Sequence, residues 1–203
     1  MNQSLFNKNL VLENDRVLLR LLEPKDSEHL MPFAMNESTL WAYSLLPADG
    51  VNNMTKYLDF AFEKKESGHS FPFIVFDKAS GYFAGSTRFY DIQPQHNTVQ
   101  LGYTWYGSHF QGTGLNKNCK LLMLTFAFET LGVERVEFRA DAANQKSIAA
   151  MKSIGCIKEG ILRSNCAAPE GRRDSIVLSI LKEEWFGGVK KTLEEKVTLE
   201  NKS

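Results

Sequence analysis

The sequence contains little that could form a metal site or a disulfide framework. It has three cysteines (Cys119, Cys156 and Cys166) with no Cys-x-x-Cys spacing, and its four histidines are scattered. An odd number of distant cysteines argues against both disulfide pairing and a zinc knuckle. We therefore expect no metal site, and we expect Cys119 and Cys156 to be inert, buried thiols.

The chain also lacks a long apolar run and an excess of either charge. No stretch approaches the roughly 20 apolar residues that cross a bilayer, and the first ten residues lack the apolar segment of a secretory signal. Lys plus Arg and Asp plus Glu both number 24, which argues against nucleic-acid binding through bulk charge. We therefore expect a cytoplasmic protein with no membrane and no nucleic-acid partner.

The order of predicted elements indicates one α/β domain. A hairpin of apolar strands across the turn 78–81 precedes a second half in which strands and helices alternate. This order predicts a single domain over 1–203, with a mixed sheet, a core over about 16–185 and a charged tail, 186–203, that forms a surface helix. An exposed sheet edge would permit a homodimer. The predicted strands are 16–22, 71–76, 82–90, 98–106, 133–140, 157–162 and 175–181.

The most informative segment is Gln111–Asn116 (QGTGLN), between a predicted strand and a strongly apolar predicted helix. Its two glycines allow a tight turn and a close approach of the backbone to a ligand. The first amides of the following helix lack internal partners and suit a phosphate group. A P-loop is excluded because Asn118, and not Ser or Thr, follows Lys117. From these residues alone, a plain strand-to-helix turn is an equally good interpretation.

Six segments then form an ordered series along most of the chain. They are LGYTW (101–105), QGTGLNK (111–117), NQKS (144–147), SIGC (153–156), EGILR (159–163) and GRRDSIVLSI (171–180). In this order and at these separations, the series resembles the GNAT superfamily of N-acetyltransferases, and most closely its RimJ/RimL-like branch. The resemblance covers about 16–185. It implies a mixed, mostly antiparallel twisted sheet that is splayed at its centre and flanked by helices.

The resemblance implies acetyl-CoA as cosubstrate and an amine as acceptor. Backbone amides of the glycine turn would hold the CoA pyrophosphate. The splayed strand would pair with the pantetheine arm and polarise the thioester carbonyl. Asn144 would bond to the same arm, and Ser147 would lie near that arm or the sulfur. The implied cofactor-binding residues are Tyr103, Thr104, Trp105, Gln111, Gly112, Thr113, Gly114, Leu115, Asn116, Asn144 and Ser147.

Several of these residues have a purely structural alternative. Asn144 precedes Ser147 by three residues and could serve only as the N-terminal cap of a helix, although both roles can coexist. Tyr103 and Trp105 could be plain core aromatics. The acceptor is expected to be recognised by the first third of the chain, through Phe33, Trp41, Tyr43 and the helix from Asn52.

The sequence departs from the common family pattern at both positions of proton transfer. Many relatives carry Glu just before the splay, where this chain has Gln100. Many also carry Tyr seven residues after the motif Asn, where this chain has Met151. Neither residue can exchange a proton. The missing base favours α-amines, because an α-amine with a pKa near 8 is neutral far more often than a lysine near 10.4.

Other residues are candidates for the missing roles. Ser147 could protonate or order the thiolate, and Glu159 or Asp174 could accept the proton of the amine. Glu159, Ser147 and Asn144 are therefore the candidate catalytic residues. The alternative for both carboxylates is an exposed or ion-paired position.

Three functions follow from these observations. The first is an acetyl-CoA-dependent N-acetyltransferase that acts on a protein N-terminus or a small-molecule amine by direct attack on the thioester. The second, favoured by the missing Glu and Tyr, is a GNAT-like module that binds CoA with little or no turnover. The third is an interaction protein with a chance QGTG turn.

Overall fold

The protein is built on one eight-stranded sheet. The computed structural model describes residues 10–168 and 171–201. The strands are β1 (Val11–Glu13), β2 (Val17–Leu21), β3 (Ser70–Asp77), β4 (Tyr82–Gln93), β5 (Thr98–Tyr106), β6 (Arg135–Asp141), β7 (Ile157–Ala168) and β8 (Gly171–Leu181). Their order across the sheet is β1-β2-β3-β4-β5-β6-β8-β7. Only β5 and β6 pair in parallel among these strands, so the predicted mixed, mostly antiparallel sheet is confirmed.

Helices cover both faces of the sheet and create two separate apolar clusters. One face carries α1 (Ser27–Asn36) and α2 (Gly50–Glu66), and their buried residues pack with Trp105 of β5. The other face carries α3 (Leu115–Thr125), α4 (Gln145–Ser153) and the C-terminal helix (Lys190–Glu200). The predicted helix that starts at Leu115 leaves α-helical geometry at Phe126–Thr130, a π-helical turn.

The C-terminal helix corrects the prediction of a surface tail. Leu193 and Val197 of this helix are buried and pack into the same cluster as α3. These two residues are four positions apart, so they lie on one helix face. The sequence conceals this because most other residues of that helix are polar or charged.

β7 and β8 are longer than predicted. The sequence indicated 157–162 and 175–181, whereas the structure extends the pair to Ala168 and back to Gly171. The added residues are mostly polar and exposed, so they lack the alternation of apolar and polar residues that marks a half-buried strand. Pro169 of the predicted loop lies outside the described residues.

A gap opens in the middle of the sheet between β5 and β6. The two strands pair only over Thr98–Gln100 and Arg135–Glu137. Among the described strands, β5 pairs beyond Gln100 with β4 alone, and β6 pairs beyond Glu137 with β8 alone. Both strands therefore present an unpaired backbone edge to the gap, which opens toward their carboxyl ends.

A bulge in β5 lies at this gap. Gly102 pairs with Arg88 and Trp105 pairs with Ser86, so two residues of β5, Tyr103 and Thr104, face one residue of β4. Tyr103 has left-handed backbone geometry, with φ +48°. An extra residue of this kind bends a strand and disrupts its pairing.

Lys120 of α3 contacts the bulge from the α3 side of the sheet. Its ammonium donates to Thr104 Oγ1 at 2.7 Å and to Thr87 Oγ1 at 3.2 Å, and the two hydroxyls lie 2.7 Å apart. The lysine is only 5% exposed. Burial lowers its pKa to about 8, because removing water disfavours the charged form.

Gly85 permits the close approach of β4 to β5 beside this bulge. A Cβ at this position would lie 2.1 Å from the carbonyl oxygen of Trp105. Because that atom belongs to the backbone, Gly85→Ala is expected to lower the unfolding free energy by about 3 kcal/mol or more. Thermal unfolding would show a fall of about 6–12 °C.

Gly160→Ala is the matched control for Gly85→Ala. A Cβ at Gly160 would meet no atom within 4 Å, so its Tm should change by less than about 2 °C. Equal Tm values for the two variants would contradict the packing described here.

Lys120 predicts a pH-dependent contribution to stability. Its folded pKa of about 8 lies below the unfolded value near 10.4. Between these values the unfolded chain binds more protons, so this contribution to the unfolding free energy rises with pH. The expected rise is about 3 kcal/mol.

The measurement compares urea unfolding of the wild type and Lys120→Met from about pH 7 to pH 11. The wild type should gain on the variant as pH rises, and the titrations of tyrosines and cysteines cancel in the difference. Parallel stability curves would show that Lys120 does not titrate as described.

Candidate active site

The glycine turn forms the start of α3. Gly112 and Gly114 both have left-handed backbone geometry, with φ +77° and +82°. The first amide that bonds back within the helix is that of Asn118, to the carbonyl of Gly114 at 3.2 Å. The preceding amides of the first turn therefore have no intrahelical acceptor. A Cβ at Gly112 would meet nothing within 4 Å, so this part of the loop borders open space.

Charged side chains surround this turn. Lys117 pairs with Glu200 of the C-terminal helix, whose carboxylate lies beside Gly114. Lys146 of α4 donates to the side chain of Gln111. Two lysines and one carboxylate thus lie next to the positive end of α3, and the balance favours a bound anion.

The free edge of β5 presents backbone to the gap, while its side chains are engaged elsewhere. Thr104 bonds to Lys120, and the indole of Trp105 donates to the hydroxyl of Tyr57 at 3.2 Å. The Tyr103 ring packs edge-on against Tyr90, with centroids 5.0 Å apart. Core packing of Trp105 is confirmed, and any contact of β5 with a ligand in the gap is a backbone contact.

Asn144 and Ser147 lie where β6 ends and α4 begins. The Asn144 side-chain oxygen accepts the Ser147 amide at 3.0 Å, so the predicted helix cap is confirmed. Since β6 forms the second wall of the gap, the cap lies at the gap's open end. The structure therefore brings together the glycine turn, the β5 edge and the start of α4.

Glu159 does not join this group. Its carboxylate pairs with the Arg135 guanidinium and accepts the Ser179 hydroxyl at 2.6 Å. The bonds from Arg135 hold the pKa of Glu159 below its usual range. Arg135 pairs with Thr98, where β5 and β6 are still joined, so Glu159 lies at the closed end of the gap. The structure therefore supports the ion-paired alternative for Glu159 and not its predicted role as the base.

Asp174 is also engaged, since its carboxylate accepts the backbone amide of Ser164 at 2.7 Å. Gln100 and Met151, which the sequence resemblance aligns with two proton-transfer positions, are both buried. The Gln100 amide donates to a carboxylate oxygen of Asp91 at 2.6 Å. A carboxylate from β4 thus lies beside the position where many relatives carry Glu on β5.

Asp91 belongs to a cavity that the sequence did not indicate. The cavity has a volume of about 290 Å³ and lies on the α2 face of the sheet, with walls from α2, β3, β4 and β5. Asp91 has a left-handed backbone, φ +45°, at an irregularity in the pairing of β4 with β5. The lining residues are Phe60, Lys64, His69, Ser70, Arg88, Tyr90, Asp91 and Tyr103.

The residues predicted to recognise the acceptor contribute little to this cavity. Trp41 is buried, and it packs on Trp105, as does Phe33. Tyr43 is exposed, and its carbonyl accepts a bond from Arg173. The predicted helix from Asn52 does contribute, through α2. The packing of Phe33 and Trp41 could be anticipated from the apolar character of these side chains. The cavity could not, because its walls come from strands that are far apart in the sequence.

The two expected thiols are buried, as predicted. Cys119 and Cys156 both lie in the cluster beneath α3. Burial raises the pKa of Cys119 to about 12 and also raises that of Cys156, so neither is a reactive thiolate. Among the described residues no group of side chains is arranged to hold a metal ion. No helix in that part of the chain is long and apolar enough to cross a membrane.

Known proteins share both this sequence pattern and this architecture. The chain matches the family described as "Acetyltransferase (GNAT) domain" over residues 16–157. It is 26% identical over 179 residues to the "Putative ribosomal N-acetyltransferase YdaF" of Bacillus subtilis (strain 168), an alignment that covers 86% of this chain and 96% of that protein.

Two solved structures share the fold. A GCN5-related N-acetyltransferase from Brucella melitensis superposes with a TM-score of 0.86 at 22% identity, covering 94% of this chain and 86% of the other. RimJ of Mycobacterium smegmatis in complex with CoA-disulfide gives a TM-score of 0.75 at 19% identity, covering 89% and 88% of the two chains.

The family match and the sheet that opens beside a glycine turn lead to the same assignment. The match spans most of the described fold, from the start of β2 to the start of β7, and the family uses acetyl-CoA. The chain therefore belongs to the GNAT family and is an N-acetyltransferase.

Proposed function

We propose that this enzyme transfers the acetyl group of acetyl-CoA to a primary amine, either a protein N-terminal α-amine or that of a small molecule. The amine attacks the thioester directly. The observation that carries the proposal is the unpaired edge of β5, which begins after Gln100 and ends next to the glycine turn. A CoA complex of the structural neighbour RimJ supports the choice of donor.

The amides of the glycine turn would hold the CoA pyrophosphate. The amides at the start of α3 have no intrahelical acceptor, the helix end is positive, and Gly112 borders open space. Lys117 offsets the negative charge of Glu200 beside the turn. The backbone amide of Gln111, which was predicted for this role, already donates to the carbonyl of Ser108 at 3.1 Å. The set proposed for this role is therefore Gly112, Thr113, Gly114, Leu115 and Asn116.

The β5 edge would hold the pantetheine arm and the acyl group. Backbone groups of Tyr103, Thr104 and Trp105 would pair with the arm as a neighbouring strand would. An amide of this segment would donate to the carbonyl oxygen as negative charge develops on it. Asn144 and Ser147 lie at the opposite wall of the gap, where they would bond to the arm and to the departing sulfur. Bound acetyl-CoA supplies an acyl carbon that is already activated.

Asp91 is the proposed proton acceptor for the amine. Its carboxylate accepts the amide of Gln93 at 2.7 Å and that of Gln100 at 2.6 Å, and it lines the cavity together with Tyr103 of the β5 edge. These bonds hold the carboxylate next to Gln100, the position at which many relatives carry Glu. Asp91 would therefore act as the general base, a role that Gln100 cannot perform.

Substitution of Gly112 tests the donor site. Gly112→Ala adds a methyl group to the surface that would face the pyrophosphate, so the KM for acetyl-CoA should rise at least tenfold, about 1.4 kcal/mol. Gly81→Ala is the matched control, because Gly81 also has φ +77° and open space around its Cβ. The two variants should lose similar stability, about 1 kcal/mol. Equal KM values would place the pyrophosphate elsewhere.

Substitution of Asp91 tests the base. Asp91→Asn keeps the shape of the side chain and removes its basic oxygen, so kcat should fall by about 100-fold with little change in the KM for acetyl-CoA. Glu159→Gln should leave kcat within about twofold. The reverse ranking of the two variants would restore Glu159 as the base.

The alternative function is a module that binds CoA without turnover. Gln100 and Met151 favour it, since neither can exchange a proton. Release of free thiol from acetyl-CoA with a panel of amines separates the two functions. Binding of CoA without thiol release for any amine would favour the module.

A further inference from the structure

Arg88 has an unusual environment for a charged side chain. It is fully buried, and none of its three guanidinium nitrogens has a hydrogen-bond partner among the described residues. An arginine stays protonated in proteins, with five N–H donors arranged as a planar fork. Burial of such a charge without a partner is strongly unfavourable, so an arginine that serves structure alone is expected to have hydrogen-bond partners.

Aromatic rings provide only part of the compensation. The guanidinium carbon lies 4.2 Å from the ring centre of Tyr103, 4.8 Å from that of Tyr57 and 6.0 Å from that of Phe60. Cation–π contacts stabilise a cation from which water is excluded. They do not satisfy the N–H donors, which need an oxygen acceptor in the plane of the fork.

Arg88 is one of the residues that line the 290 Å³ cavity. Two other charged side chains of this wall already have partners. Lys64 pairs with Glu63, and the Asp91 carboxylate is held by two glutamine amides. Among the described residues of the cavity wall, Arg88 is the one whose buried polar atoms have no hydrogen-bond partner.

The cavity also adjoins the reaction centre of the proposed function. Arg88 pairs with Gly102, the second residue of β5 beyond the paired part, and adjacent strands are about 4.8 Å apart. Tyr103 contributes both to the cavity and to the gap edge. A ligand with its anionic group on Arg88 would thus have its remaining atoms within reach of the acyl carbon.

We infer that Arg88 binds the carboxylate of the acceptor, and that the acceptor is a small amine that carries a carboxylate, as an amino acid does. This inference rests on the proposed function. A carboxylate matches the guanidinium fork through two parallel bonds. Asp91, three residues along β4, provides the opposite charge for the ammonium group. The rings of Phe60, Tyr90 and Tyr103 provide an apolar wall for the rest of the molecule.

The test compares glycine, leucine and phenylalanine with their amides, glycinamide, leucinamide and phenylalaninamide, as acceptors. An amide removes the carboxylate charge and leaves the amine more often neutral, so intrinsic reactivity favours the amide. The wild type is nevertheless expected to prefer at least one acid over its amide by tenfold or more in kcat/KM. Arg88→Met should reduce that ratio below one, with the KM for acetyl-CoA unchanged.

Two controls separate this role from a structural one. Arg163→Met removes one exposed arginine of β7 and should keep the wild-type ratio. Arg88→Met should unfold at a temperature no lower than the wild type, because it removes an unpartnered buried charge. A lower Tm together with an unchanged acid-to-amide ratio would overturn the inference, as would an equal preference for acid and amide in the wild type.

Binding without catalysis distinguishes failure of this inference from failure of the proposed function. Thermal shift with the same acids, without acetyl-CoA, should raise the Tm of the wild type and leave that of Arg88→Met unchanged. If no amine releases thiol but this shift persists, the carboxylate site stands and the proposed function fails. If thiol is released while acids give no shift and no preference, the site fails alone. A shift with inorganic phosphate and none with the acids would also overturn the carboxylate assignment.

Discussion

The structure depends on how short the pairing between β5 and β6 is. Three residues from each strand hold the two halves of the sheet together in parallel. After them, no strand of residues 10–168 or 171–201 pairs with β5 on that side, and backbone polar groups demand a partner. Water or a ligand with amide groups must satisfy them. The gap is thus both a break in the sheet and a place where an extended molecule can complete it.

Two buried cations support the strands beside this gap, one on each face. Lys120 lies on the α3 face and bonds to two threonine hydroxyls, so its charge has acceptors. Arg88 lies on the α2 face against three aromatic rings and has no acceptor within the part of the chain that the structure describes. The two environments differ because hydroxyl groups line one side of the bulge and rings the other. Lys120 thus completes the packing on its side, whereas Arg88 still lacks an anionic partner among the described residues.

The sequence allowed prediction of those parts of the site that are local. The bounds of β5, the glycine turn and the Asn144 cap each depend on residues within a few positions of one another, so their patterns were informative. The roles of Glu159 and Arg88 were not predictable in the same way. Glu159 pairs with the Arg135 guanidinium and accepts the Ser179 hydroxyl, from two other strands, so its partners are set by strand order. The burial of Arg88 follows from the packing of α2 across β4. No local sequence pattern predicts this packing, because the two elements are separate segments of the chain.

The bulge in β5 has a consequence for how such a site can change over time. Before it, Val99 and Leu101 contribute to the cluster under α3; after it, odd-numbered Trp105 contributes to the cluster under α2. One extra residue has turned the strand over, so odd-numbered residues face the α3 cluster before the bulge and the α2 cluster after it. Loss of that residue would exchange the two faces of the rest of the strand. Evolution can therefore vary the walls of the cavity residue by residue, but it can alter the length of this strand only by rebuilding both cores together.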